Sequence, residues 1–154
     1  MKSSRCLLTV PVGRWRQKGY DRCTLIMRVG IEKLILHSDA RGAVVEPLAA
    51  QALAAQQNVH VVVSQPGAVR GNHYHQVGTE RITVIGPALA RFRDGSEISD
   101  VVIEAGSAVR FTIPPGVSHA VKNTGAHPCV MVAFNTAAHD RNAPDTFRDV
   151  LIEG

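Results

Sequence analysis

Aromatic side chains are scarce in this chain of 154 residues, with one Trp, two Tyr and four Phe. Its core must therefore be filled mostly by Val, Ile, Ala and Leu. The apolar share of 45% is ordinary for a globular protein. Cysteine is scarce too. Cys6, Cys23 and Cys129 are odd in number and not at zinc-ligand spacing. That argues against a disulfide framework and predicts a reducing, cytoplasmic setting. No apolar run is long enough to span a bilayer, so no membrane partner is expected. The stretch from Met1 to Val12 is broken by Pro11 before it reaches signal-peptide form. There is no internal repeat beyond two histidine clusters and no low-complexity linker. One domain is the expectation at this length.

An even charge distribution is also missing. The net charge is +4. Residues 1–26 hold six bases against one acid, Asp21, a net +5. The remainder holds eleven bases and twelve acids, a net −1. The presumptive domain is near neutral, and no nucleic-acid partner is expected. Residues 1–26 also lack periodicity. They are expected to lie outside the fold, as a basic segment before a single domain at 27–154, and translation starting at Met27 would explain them.

What is present centres on Gly67 to Glu80. His73 and His75 are two residues apart, so on a strand both imidazoles face the same way. Glu80 follows after a turn-like segment containing Gly78. His119 comes just after Pro114-Pro115-Gly116. Three neutral imidazoles and a carboxylate form a plausible shell for one divalent transition metal. His73, His75, Glu80 and His119 are therefore the candidate metal ligands.

The surrounding pattern is of short strands. Val29 to His37 alternates, and Val44-Val45-Glu46 reads as a short strand. Pro47 to Gln57 reads as one short helix or a loop. Val59 to Ser64 is β-branched, and Gln65-Pro66-Gly67 turns the chain into the histidine strand. Further strands are expected at Arg81 to Ile85, Ala88 to Arg93, near Val101 to Ile103, at Val109 to Ile113, His119 to Asn123 and Cys129 to Asn135. Asp94-Gly95 marks a hairpin. The polar tail after Thr136 is expected to lie over a face. This spacing predicts an all-β sandwich or barrel, with a double-sheet jelly roll as the architecture that encloses a cavity at this length.

These residues resemble the cupin family. Its first motif is matched by Gly67, His73, His75 and Glu80, while Pro87 stands where the motif closes on Gly, and Gly86 lies one earlier. Its second motif is matched by Gly106, Pro114, Gly116, His119 and Asn123, with a gap two residues longer than usual after Gly106. The resemblance covers roughly Val59 to Asn135. It implies a double-stranded β-helix with at most one or two short helices. Arg70 to His75 and the tail from Asp140 to Phe147 also resemble the C-terminal cupin domain of bifunctional capsular-polysaccharide enzymes acting on nucleotide sugars. Asp39-Ala40-Arg41-Gly42 resembles related epimerases and ketoisomerases. This narrower resemblance implies zinc, with iron, manganese or nickel as alternatives, and a small-molecule substrate.

A Lewis acid with an open position polarises a ketone, and removing a proton beside that ketone then permits epimerisation. His60, on the preceding strand, and Tyr74, between the ligand histidines, are the catalytic candidates. Strand alternation turns Tyr74 to the other face, toward packing. Arg70 and Asn72 are the substrate-binding candidates, an Arg at the mouth suiting a diphosphate. Their parity points outward unless Gly71 bends the strand. Three readings stay open: a sugar-nucleotide epimerase or isomerase, an iron-dependent oxygenase, and a non-catalytic binding module. A homodimer is expected, because an edge strand needs cover and Val44-Val45 and Val61-Val62-Val63 are apolar.

Overall fold

The computed structural model describes residues 6–9 and 24–154. Among these residues the strands are β1 (Cys6–Thr9), β2 (Thr24–Ile26), β3 (Val29–Leu34), β4 (His37–Asp39), β5 (Gly42–Val44), β6 (Asn58–Ser64) and β7 (Val69–His75). They continue as β8 (Glu80–Ile85), β9 (Ala88–Asp94), β10 (Glu97–Ile103), β11 (Ala108–Ile113), β12 (Ser118–Asn123), β13 (Cys129–Asn135) and β14 (Thr146–Arg148). One helical turn, α1 (Ala50–Leu53), lies within the stretch expected to be helix or loop.

The strands form two six-stranded sheets, ordered β1-β10-β9-β12-β7-β14 and β2-β3-β11-β8-β13-β6. Among the described residues β4 and β5 pair only with each other, and both are exposed throughout. Alternation drives the packing. Val101 and Ile103 on β10, Ala88, Ala90 and Phe92 on β9, and Phe111 and Ile113 on β11 turn inward and are buried. Ile82 and Val84 on β8 and Met131 and Ala133 on β13 join the same core. Phe92 of the first sheet meets Phe111 of the second, with ring centroids 5.0 Å apart. Each such buried ring contributes about 1.5–3 kcal/mol over an exposed one. The expected all-β jelly roll is the architecture observed.

Several elements differ from the sequence expectation. The run from Val29 splits into β3 and β4, and the short strand near Val44 begins earlier, at Gly42. The polar tail contains a strand, β14, which pairs with β7. Residues 1–26 were expected outside the barrel, which is corrected for two stretches. β1 runs parallel to β10, and β2 runs antiparallel to β3. Both are short edge strands, so backbone pairing holds them where their sequences lack a strand pattern. The rest of 1–26 lies outside the described residues.

The motif residues have local tasks. Asn123 is fully buried, and its amide donates to the backbone oxygens of Ser64 and His127 while accepting from Gly125 N. It thereby joins the end of β6 to the loop after β12. At Gly86 a Cβ would lie 2.4 Å from the Glu104 oxygen, so glycine is needed one position before the motif's usual place.

Candidate metal centre

β7 carries His73 and His75, β12 carries His119, and β8, in the facing sheet, begins at Glu80. His73 is opposite His119 in the β7–β12 ladder. One ligand atom from each of the four residues lies within 4.8 Å of the others. Glu80 and His119 are buried, and His73 and His75 are half-buried. Alternation along β7 therefore produces the shared orientation expected from the histidine spacing.

The donor atoms face one another without bonding well. Glu80 Oε2 is 2.9 Å from His119 Nε2 and 3.2 Å from His75 Nε2. Yet Glu80 Oε2, His75 Nε2 and His73 Nε2 are buried without a partner in hydrogen-bond geometry. The distances permit a bond and the geometry does not complete one, which leaves ligand atoms from all four residues gathered within 4.8 Å of one another. Buried polar atoms left this way are costly unless something satisfies them. Three imidazoles and a carboxylate suit a divalent transition metal, and the four residues fit one.

Charge follows the same geometry. Burial pushes the Glu80 carboxyl up, but the close approach of His119 and His75 overcomes this and holds it well below the usual carboxylate range. Burial, with the neighbouring His119 and His75, pushes His73 down to about 4 against the pull of Glu80. His75 is pushed down by burial too, yet Glu80 and the Asp145 backbone raise it above its ordinary value. The site thus holds an ionised carboxylate beside an imidazole, His73, that stays neutral well into acid.

The other candidates separate. Tyr74 is turned away from the cluster and stacks on Phe147, centroids 5.4 Å apart, so the catalytic expectation for it is corrected. Asn72 is corrected as a substrate contact as well. Its side chain accepts from Leu151 N and Ile152 N and donates to Ile152 O, which commits it to the chain's own tail. Arg70 behaves differently. A bulge at Gly71-Asn72 shifts the β7 register, so Arg70 is opposite Val121, a core residue. Gly71 has a φ of +89°, and a Cβ there would lie 2.7 Å from the His119 oxygen. Glycine alone tolerates both conditions. Arg70 thereby joins the concave face while staying exposed. His60 is opposite Ala133, which is opposite Ile82, so it too is on the core-facing side of its strand, exposed at the sheet edge.

Asp145 carries no role in the sequence reading, although it lies in the tail that resembled the capsular enzymes. Its backbone oxygen is 2.8 Å from His75 Nδ1, and its carboxylate accepts from the backbone N–H of Gln76, Val77 and Gly78. Only the resemblance of that tail offered a signal.

Comparison with known proteins places this geometry. Residues 37–147 match the model of the polysaccharide biosynthesis C-terminal domain. The chain belongs to this family. A curated relative, the UDP-2-acetamido-2,6-beta-L-arabino-hexul-4-ose reductase of Pseudomonas aeruginosa, is 31% identical over 123 residues. The match covers 77% of this chain and 32% of that relative, so this polysaccharide biosynthesis domain spans about a third of the longer protein's length. The capsular polysaccharide assembling protein CapF of Staphylococcus aureus is similar at 28% identity and a TM-score of 0.57, covering 77% of this chain and 33% of CapF. RmlC, the dTDP-6-deoxy-D-glucose-3,5-epimerase of Legionella pneumophila, solved with dTDP-4-keto-L-rhamnose, shares the fold. It has a TM-score of 0.63 at 19% identity, over 81% of this chain and 74% of RmlC. The cupin fold expected from the two motifs is thereby established.

Proposed function

We propose that this domain is a metal-dependent epimerase or isomerase of a keto sugar nucleotide in surface-polysaccharide biosynthesis, with zinc the favoured ion. The observation that carries the reading is the clustering of ligand atoms from His73, His75, Glu80 and His119, among which His73 Nε2, His75 Nε2 and Glu80 Oε2 are buried and unpartnered. The family and its capsular relatives support the polysaccharide setting, and the sugar-nucleotide epimerase with the same fold supports the reaction class.

A divalent ion at this site supplies a Lewis acid that polarises a carbonyl and favours loss of a proton from the adjoining carbon. The chain's own residues do the rest. Glu80, held ionised, brings the one negative charge among the four ligands. Arg70, on the concave face, grips the phosphates of the nucleotide, for which a planar guanidinium offers paired donors. His60, on the core-facing side of β6, moves the proton at the carbon beside the ketone, a task suited to an imidazole near neutral pH.

The test is solvent exchange. Zinc-loaded protein is incubated in deuterated water with a UDP- or dTDP-4-keto-6-deoxy sugar and followed by proton NMR. Deuterium should enter at a carbon next to the ketone. His73→Ala should lose the ion and the exchange together. Glu80→Gln should keep the fold, bind the ion more weakly and recover partial metal content when zinc is added in excess. His60→Asn should slow exchange with metal content unchanged. Exchange by metal-free wild-type protein overturns the metal's role. Oxygen consumption with a redox metal, in place of exchange, makes the chain an oxygenase.

A further inference from the structure

Residues 145–152 form a strap along the histidine strand. Among the described residues, β14 pairs only with β7, over Thr146–His75, Phe147–Tyr74 and Arg148–His73. Beyond it, Asp149 N donates to the Asn72 oxygen, and the Asn72 side chain holds Leu151 and Ile152. The Asp149 carboxylate accepts from Ser118 Oγ and Arg93. Ser118 directly precedes His119. The strap therefore touches the chain at or beside each of the three histidines.

Asp145 is where the strap meets the donor set. A carbonyl oxygen only accepts hydrogen bonds. The 2.8 Å contact between the Asp145 oxygen and His75 Nδ1 is thus a hydrogen bond only when Nδ1 carries the proton. That leaves the lone pair on Nε2, the atom facing Glu80. The carbonyl is in turn held by its own side chain, whose two oxygens take the N–H groups of Gln76, Val77 and Gly78 at 2.7–3.1 Å. These residues form the turn from His75 to Glu80. A Cβ at Gly78 would lie 2.0 Å from Asn135 Oδ1, so the turn has one close-fitting path. One residue therefore fixes the tautomer of one ligand and the approach to the next.

We propose that Asp145 is a positioning residue of the metal centre, and that docking of the strap and uptake of the ion reinforce each other. This rests on the metal reading above. Partners behind a ligand histidine typically matter by about 10–100-fold in metal affinity. By linkage, whatever the strap adds to metal binding, the metal returns to the strap.

Zinc affinity is measured by chelator competition at 25 °C, with folding of each metal-free variant checked by melting. Asp145→Ala should bind zinc about 10–100-fold more weakly than wild type. Asp145→Asn, which keeps one acceptor oxygen, should recover part of the loss. The visible spectrum of cobalt-loaded Asp145→Ala should differ from wild type, a change that mere loss of edge cover would not produce. Zinc should slow amide hydrogen exchange at 146–148 in wild type and do so less in Asp145→Ala. Zinc affinity within twofold of wild type in Asp145→Ala, or strap exchange unaltered by zinc in wild type, overturns the inference and leaves the metal reading standing. Wild-type protein that binds no divalent ion overturns both.

Discussion

His73 and His75 are two residues apart on one strand, yet they hold their protons differently. His73 is pushed down to about 4, first by burial and then by its imidazole neighbours. His75 is raised above its ordinary value, because Glu80 and the Asp145 carbonyl outweigh its burial. A proton on Nε2 competes directly with an ion for the same lone pair. The sign follows: on acidification His75 is protonated well before His73. Zinc affinity should begin to fall already above pH 6.5, the ordinary imidazole value, and should steepen again near pH 4 as His73 follows. Each competing proton costs about tenfold in affinity per pH unit. Chelator competition across pH 4 to 8 reads this directly. A titration that begins only near pH 4 would assign the competing proton to His73 and contradict the prediction.

At the scale of elements the bulge in β7 matters most. Gly71 and Asn72 both have positive φ, +89° and +58°. Asn tolerates that region better than most residues and here also supplies the side chain that holds the strap. Two substitutions separate the tasks. Asn72→Gly keeps the backbone permissive and loses the side-chain hydrogen bonds. Asn72→Ala loses both, and should be the less stable of the two by about 1 kcal/mol. Both should lie roughly 1–3 kcal/mol below wild type in denaturant unfolding, and proteolysis should cut them first between 145 and 152. Equal stability of the two variants would mean that the positive φ carries no strain. Much of this level is legible in the sequence. The apolar run Cys129–Asn135 reads as a buried strand, and β13 has those bounds. The two histidine clusters meet as their spacing requires. β14 was not legible, because Thr146–Arg148 is three residues within a polar, proline-containing tail and its partner lies some 70 residues earlier. Arg70 was legible only in part, since its parity depends on one extra residue in the bulge. Asp145 was hidden because its carboxylate serves backbone N–H groups, which leave no pattern in side-chain identity.

At the scale of the whole molecule, apolar surface remains without cover among the described residues. Val59, Val61 and Val63 project from the outer face of β6, each more than half exposed, and Val130 on β13 adjoins Val63. The β4–β5 ribbon stands apart from both sheets, and a two-stranded ribbon alone is marginal in water. A homodimer that buries the β6 face meets the first need. Val61→Lys should then shift sedimentation from dimer to monomer at micromolar concentration, with far-ultraviolet circular dichroism unchanged. A wild-type protein that sediments as a monomer at that concentration rules the dimer out. Deleting residues 1–26 removes β1 and β2 from the edges of the two sheets. It should lower the melting temperature by several degrees and promote aggregation through the uncovered β10 and β3 edges. Unchanged melting would show that those two strands add nothing to the barrel. The strap has a consequence in time as well. His75 is made 70 residues before Asp145, and chains grow at roughly 5–20 residues per second, so about 4–14 s separate the two during synthesis. Through that interval the histidine strand has an open edge, and a prematurely released chain would keep it open, free to pair with any other unpaired strand it meets.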